Sequence, residues 1–224
     1  MNEKQLAAKK SVEFIKEGMI LGLGTGSTVF FLINRLADLV KQGLSVKCVS
    51  TSKQSSKLAT SLGIKVVNLN EVNHIDLTID GADEVDTNLN GIKGGGGALL
   101  FEKIAAKVSS KVIWIIDSSK FVKRLGKFPL PVEVVQFGSD HLLQKFSSNG
   151  FNPQRRKSGS DIYLTDSGNE IIDLYLNEIE NPVELEKQLK LTTGVVEVGL
   201  FNNIADIVIV GRNNSTEIIN KVKT

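Results

Sequence analysis

Along the first 116 residues the apolar positions keep two alternating rhythms. Ala8, Val12 and Ile15 recur at helical spacing and Gly18 supplies a stop, which predicts a helix over residues 4–16. A short apolar strand, residues 19–23, runs into a glycine-rich turn; Val29, Leu32, Ile33, Leu36 and Val40 then mark an amphipathic helix ending at Gly43. The pattern continues with strand 46–49, helix 53–62, strands 65–67 and 75–79, helix 97–108 and strand 112–116. Short apolar strands separated by helices predict a parallel sheet covered on both faces. In such sheets ligands gather outside the carboxyl ends of the strands.

The texture changes after GKFPLPVEV, where Pro129 and Pro131 interrupt the chain. Strand 132–135, helix 139–148, strands 154–156, 162–165 and 171–176, helix 182–190 and strand 195–198 follow, with Asp166-Ser167-Gly168 as a hairpin turn. That order is a split βαβ, or ferredoxin-like, unit. The apolar run 207–210 returns to the main sheet. The predicted fold is α/β: a mainly parallel, Rossmann-like sheet with helices on both faces, formed by residues 1–127 and 203–224, with an inserted α+β ferredoxin-like domain over 128–202.

Composition narrows the function classes. A chain of 224 residues that is 41% hydrophobic and 23% charged packs as an ordinary globule rather than a disordered or coiled-coil chain. Its 27 Lys plus Arg balance 25 Asp plus Glu and are dispersed, so no nucleic-acid partner is expected and any anion is bound locally. The single cysteine, Cys48, excludes a disulfide framework and a multi-cysteine metal site, and reads as a buried strand residue. No signal-peptide run opens the chain, and no segment reaches the roughly 20 apolar residues needed to span a bilayer. A cytoplasmic protein with no membrane partner is expected.

Four segments carry candidate chemistry. GLGTGST, residues 22–28, joins a strand to a helix start; its glycines admit close backbone approach, and Thr25, Ser27 and Thr28 add hydroxyls beside helix-terminal N–H groups. It reads as a phosphate cradle, with a purely structural tight turn as the alternative. The third glycine of a dinucleotide fingerprint, the acidic residue after the next strand and the lysine of a P-loop are all missing, which favours a small phosphorylated metabolite. DGADE, residues 80–84, follows an apolar strand and places Asp80 and Asp83 where a ligand is expected, able to address sugar hydroxyls or relay protons. A solvated acidic turn is the other reading. His74 and His141 have no paired metal-ligand spacing, and no metal is expected.

The third segment, IKGGGGALLFEKI, sets four consecutive glycines beside Lys93. Ordering them costs entropy, so the backbone is expected to enclose an anion closely, with successive N–H groups and the Lys93 ammonium stabilising a developing oxyanion. On the following helix Leu100, Ile104 and Val108 form the predicted buried stripe. Glu102 lies off it, flanked by Ala98, Ala105 and Ala106, and projects toward the glycine loop; a helix-surface glutamate favoured by the dipole is the alternative. The fourth segment, DSSK, offers Lys120 at another strand end, where an exposed lysine is the default.

Together GLGTGST, DGADE, KGGGGAL with FEKI, and DSSK with GKFPLPVEV, followed by VVEVGLF and DIVIVG, resemble the ribose-5-phosphate isomerases of the A type over essentially the whole chain. The resemblance implies a cofactor-free interconversion of ribose 5-phosphate and ribulose 5-phosphate through an enediolate in the non-oxidative pentose phosphate pathway. It implies Glu102 as general base between C2 and C1, and Lys93 with the amides of Gly94, Gly95 and Gly96 as enediolate stabilisers. Asp80, Gly81, Ala82 and Asp83 contact the sugar, Asp80 also assisting ring opening or proton exchange between O1 and O2. Thr25, Gly26, Ser27 and Thr28 form the substrate loop, with Lys4 and Lys120 as further cations, and a homodimer is implied. Two competing readings are a non-catalytic sugar-phosphate sensor, against which stands the lack of a helix-turn-helix segment, and an α/β lactonase or CoA transferase.

Overall fold

The computed structural model describes residues 1–222. In chain order the elements are α1 (Glu3–Ser11), β1 (Ile20–Leu23), α2 (Ser27–Lys41), β2 (Lys47–Ser50), α3 (Lys53–Ser61), β3 (Leu77–Asp80), β4 (Glu84–Val85), β5 (Gly91–Ile92) and α4 (Leu99–Lys107). They continue with β6 (Val112–Asp117), β7 (Leu130–Val134), α5 (Ser139–Ser148), β8 (Pro153–Arg155), β9 (Lys157–Ser158), β10 (Asp161–Ile162) and β11 (Glu170–Leu174). The last are α6 (Pro182–Lys190), β12 (Val195–Val198), β13 (Leu200–Phe201), β14 (Ile207–Arg212) and β15 (Ser215–Asn220). The chain divides into two compact units: Met1–Ala82 with Phe101–Phe121 and the chain from Ile204 on, and Asp83–Leu100 with Val122–Asn203.

The first unit is built on a six-stranded sheet of order β2-β1-β3-β6-β14-β15, parallel except for the terminal β14–β15 hairpin. Alternation along each strand separates two apolar layers. Leu21, Leu23, Cys48, Leu77, Ile79, Ile113 and Ile115 pack with Ala7 and Ala8 of α1, the Val29–Ala37 stripe of α2 and Ala59 of α3. Ile20 and Val49 pack on the other side with Ile75 and Ala105 of α4. Two helical faces on a parallel sheet is the expected α/β architecture, and the predicted strands 19–23, 46–49, 75–79, 112–116 and 207–210 all lie in or beside this sheet.

The second unit holds a four-stranded antiparallel sheet of order β12-β7-β11-β8, with α5 between β7 and β8 and α6 between β11 and β12. Numbered from β7 this is the 4-1-3-2 order of a split βαβ pair. Leu130, Val132, Val134, Ile172, Leu174 and Val198 of the sheet bury against Leu142 and Phe146 of α5 and Leu189 of α6. A small three-stranded sheet, β13-β5-β4, also belongs to this unit.

Several expectations are corrected. The first helix stops at Ser11 and passes into a single 3-10 turn, Val12–Phe14, rather than running to residue 16. Residues 65–67 make only a bridge from Val66 to Cys48. Over 162–165, only Ile162 is in a strand, in the two-residue β10, and Leu164 makes a lone bridge. The edge strand β15 has the burial pattern of an exposed ribbon, with no apolar alternation to betray it. In α4 the predicted buried stripe is reversed: Ile104 and Val108 are both 42% exposed, whereas Glu102, Lys103, Ala105 and Ala106 are buried. The reason is close approach. Just past the helix end Ile75 accepts from Ser110 N–H and donates to Val108 C=O, the Thr78 and Ser109 hydroxyls meet at 2.7 Å, and the small Ala105 packs with Ile75 and Val49.

Candidate active site

In the first unit β1 and β3 are parallel neighbours, with β2 extending the sheet on one side and β6 on the other, so the order in which strands are added reverses between β1 and β3. That switch point is where open α/β sheets hold ligands. The carboxyl end of β1 enters the turn Gly24 to Gly26, and β3 ends on Asp80. Asp80 is buried, and its Oδ1 accepts from Thr25 N–H at 3.0 Å and Gly81 N–H at 2.7 Å. A Cβ at position 24 would fall on the Asp80 carboxylate, so glycine is what lets the turn and the carboxylate close on each other.

Gly26 lies at φ +112 and carries no side-chain cap for α2. The first turn of this 15-residue helix is therefore open, with unpaired amides and the positive end of the dipole at an exposed Gly26 and Ser27. Lys4 of α1 donates to Ser27 Oγ at 2.9 Å, setting an ammonium beside the same turn. This combination suits a phosphate. Thr25 is committed to bracing: its N–H holds Asp80 and its hydroxyl lies 2.9 Å from both Thr51 Oγ1 and Ser52 Oγ. Thr51 and Ser52, beyond the end of β2, were not among the expected site residues, and nothing in their local sequence marks them.

After β6, Asp117 caps the turn Ser118–Lys120, and Lys120 Nζ donates to the Ala82 carbonyl at 2.8 Å, which ties the DSSK and DGADE segments together. Glu102 sits in the first turn of α4 and is 4% exposed, which sets aside the reading of an ordinary surface glutamate.

In the second unit Lys93 follows β5 directly. Its N–H donates to Gly199 C=O at 2.9 Å, its side chain is buried, and its ammonium lies 5.3 Å from the centroid of the Phe201 ring. The four glycines form a closed turn, Gly97 N–H donating to Gly94 C=O at 2.9 Å, with Gly95 and Gly96 exposed. Asp83 Oδ2 accepts from Gly95 N–H at 2.8 Å. Gly97 has φ +77, and a Cβ there would meet the Tyr163 hydroxyl, so any other residue is strained at this position. Glu84, the last residue of DGADE, is buried and takes the N–H groups of Gly126 and Phe128, both at 2.7 Å, a purely structural clasp.

His74 is half-exposed and pairs with Asp76 at 3.0 Å, and His141 is exposed. Among the described residues no group of three or more His, Cys, Asp or Glu is placed to hold a metal, and no helix is long and apolar enough to cross a membrane.

Residues 47–215 match the family model described as ribose 5-phosphate isomerase A (phosphoriboisomerase A). The chain is 51% identical to ribose-5-phosphate isomerase A of Levilactobacillus brevis over 97% of this chain and 96% of that protein. It is 48% identical to the Streptococcus agalactiae protein of the same name over 97% and 98%. Among solved structures, a D-ribose-5-phosphate isomerase in complex with phospho-erythronic acid superposes with a TM-score of 0.93 at 39% identity, covering 98% of this chain and 100% of that one. Ribose 5-phosphate isomerase A from Neisseria gonorrhoeae superposes with a TM-score of 0.91 at 43% identity, covering 99% and 97%. With a switch-point carboxylate, an open helix N-terminus and a glycine turn beside a buried lysine already in place, these matches decide the question: the chain belongs to the ribose 5-phosphate isomerase A family, aldose-ketose isomerases that interconvert ribose 5-phosphate and ribulose 5-phosphate.

Proposed function

We propose that Glu102 is the base that carries a proton between C2 and C1 of the open-chain sugar phosphate. A C–H beside a carbonyl is a weak acid, so a positioned carboxylate and a preorganised oxyanion site have to act together. The base supplies about a hundred- to ten-thousand-fold, and each enediolate donor about a hundred- to a thousand-fold. Lys93 and the amides of Gly94 and Gly96 take the donor role, Gly95 N–H being given to Asp83; Asp80 and Asp83 hold the sugar hydroxyls, and Asp80 assists ring opening. Gly26, Ser27 and Thr28, with Lys4 and Lys120, grip the phosphate, turning remote binding energy into alignment.

The observation that carries this reading is the uncapped start of α2, with the Lys4 ammonium at Ser27 Oγ and Asp80 one turn away on Thr25. It is an anion site built next to a buried carboxylate. The groups assigned to the reacting carbons are also neighbours on the chain, Glu102 following Gly96 by six residues. The solved relative bound to phospho-erythronic acid, a four-carbon acid phosphate, supports a site for a phosphorylated acyclic sugar here. We further propose a cytoplasmic homodimer that uses neither metal nor organic cofactor and recognises a small sugar phosphate rather than nucleic acid or membrane.

A coupled assay with ribose 5-phosphate in excess chelator tests the reaction. Ribulose 5-phosphate should form at an undiminished rate; binding of the sugar phosphate with no product would point instead to a sensor.

A further inference from the structure

The glycine turn is the most flexible stretch a chain can present, yet its amides have to be aimed before the substrate arrives. We propose that Arg156, held by Asp173, is a positioning residue that fixes the direction of those amides. This rests on the isomerase reading above, in which the turn stabilises the enediolate.

Arg156 lies between β8 and β9, some sixty residues from the turn in sequence. One edge of its guanidinium is held by Asp173 of β11, Nε to Oδ2 at 2.9 Å and Nη2 to Oδ1 at 2.5 Å. The remaining nitrogen, Nη1, donates to two carbonyls of the glycine turn, Gly94 at 2.7 Å and Gly95 at 3.2 Å. Both side chains of the ion pair are largely buried, at 15% and 14% exposure. A buried guanidinium needs its partner, and the fork geometry fixes the nitrogen that reaches the turn. Lysine could not make this set of contacts.

The peptide unit converts this anchor into an aim. In a trans peptide the C=O of one residue and the N–H of the next point in opposite directions. Holding the Gly94 carbonyl turns Gly95 N–H away from Arg156, where Asp83 receives it at 2.8 Å. Holding the Gly95 carbonyl likewise turns Gly96 N–H to the side away from the guanidinium. Tyr163 adds a third anchor, its hydroxyl donating to Gly96 C=O at 3.3 Å. Burial pushes the Tyr163 phenol up from its ordinary value, so it keeps the proton it donates. A cation on the carbonyl side also polarises the peptide and strengthens its N–H as a donor. None of these contacts requires Arg156 to touch the sugar.

The test is steady-state kinetics of Arg156→Ala with ribose 5-phosphate, with and without added guanidinium ion at low millimolar concentration, and with Glu102→Gln in parallel. We expect kcat to fall by about 10- to 100-fold, as for misplacement of a donor by about an ångström, while KM changes less than about threefold. Guanidinium, filling the emptied site beside Asp173, should recover part of kcat, which a merely structural loss would not permit. Unchanged kcat, a loss confined to KM, or a loss that guanidinium leaves untouched overturns the proposal. Should Arg156→Ala not fold, Arg156→Lys carries the test: it keeps the charge but not the fork, and kcat should fall about tenfold, with a wild-type kcat overturning the role. An inactive Glu102→Gln beside an unimpaired Arg156 variant refutes the positioning role alone. A fully active Glu102→Gln removes the base assignment together with the role built upon it.

Discussion

Asp80, Asp83 and Glu84 lie within five residues of one another, yet their surroundings separate their tasks. Asp80 faces the amides of Thr25 and Gly81, Asp83 takes the amide of Gly95, and Glu84 is used up on the backbone of Gly126 and Phe128. Composition could place a carboxylate cluster at a strand end, but only packing could say which member is structural. Gly24 makes this concrete. In Gly24→Ala the new methyl would meet the Asp80 side chain, so we expect a loss of stability of about 1–3 kcal/mol, the usual cost of overpacking, and a fall in kcat/KM of at least about tenfold. Thermal melts and kinetics check both, and a variant with an unchanged melt and full activity would show that Asp80 need not sit against the turn. Cys48 offers a second residue-level check. Burial pushes its thiol up to about 12, so at pH 8 almost no thiolate is present and a thiol reagent should label the native protein only as fast as it opens. Rapid labelling of folded protein would contradict the buried position.

At the scale of elements, the periodic segments were legible because burial in a two-layered sheet imposes its own rhythm. The helix starting at Ser27 buries Val29, Leu32, Ile33 and Leu36 as its spacing predicts, and the βαββαβ order of the second unit follows from turn chemistry and length. What was not legible depended on contacts distant in sequence. Bulk does not mark the buried face of α4, where the small Ala105 packs with Ile75 and Val49 while Ile104 lies outside. Strand β15 is largely exposed and sets Ile218 and Ile219 side by side, so it lacks the apolar alternation that would mark a half-buried strand. Thr51, Ser52 and Arg156 serve segments 26 to 62 residues away, beyond the reach of any local signal. The docking of α1 follows the same logic. Glu3 accepts from Ser118 N–H at 2.9 Å, Ser118 Oγ at 2.7 Å and Asn213 N–H at 2.8 Å, tying the first helix to the ends of β6 and β14. These bonds, the Asn213 amide foremost, hold the carboxyl below its ordinary value of 4.5. A carboxyl whose folded value is depressed contributes stability above the unfolded value, and that contribution is lost as pH falls through the folded one. Glu3→Gln should therefore melt lower than the parent at pH 7, with the gap closing as pH drops below about 4.5. A gap of equal size at pH 3 would show that the charge is not what binds α1.

For the whole molecule, two features bear on assembly. Val134 pairs with Val195, and Val135 N–H donates to Gly194 C=O, so the segments flanking β7 and β12 meet at one end of the antiparallel sheet. Just beyond them Phe137 is 97% and Leu191 78% exposed, large apolar side chains with little cover. For the homodimer proposed above, light scattering at micromolar concentration should give twice the 24.4 kDa chain mass; a monomer at that concentration would contradict the proposed assembly. The central claim concerns chemistry, and it comes down to whether the carboxylate of Glu102 moves the proton. Incubating ribose 5-phosphate with enzyme in tritiated water measures this directly. The parent should wash label into carbon-bound positions of the sugar, and Glu102→Gln, still binding substrate, should cut that exchange by at least about a hundredfold. Exchange at near-parent rates by Glu102→Gln would contradict the account.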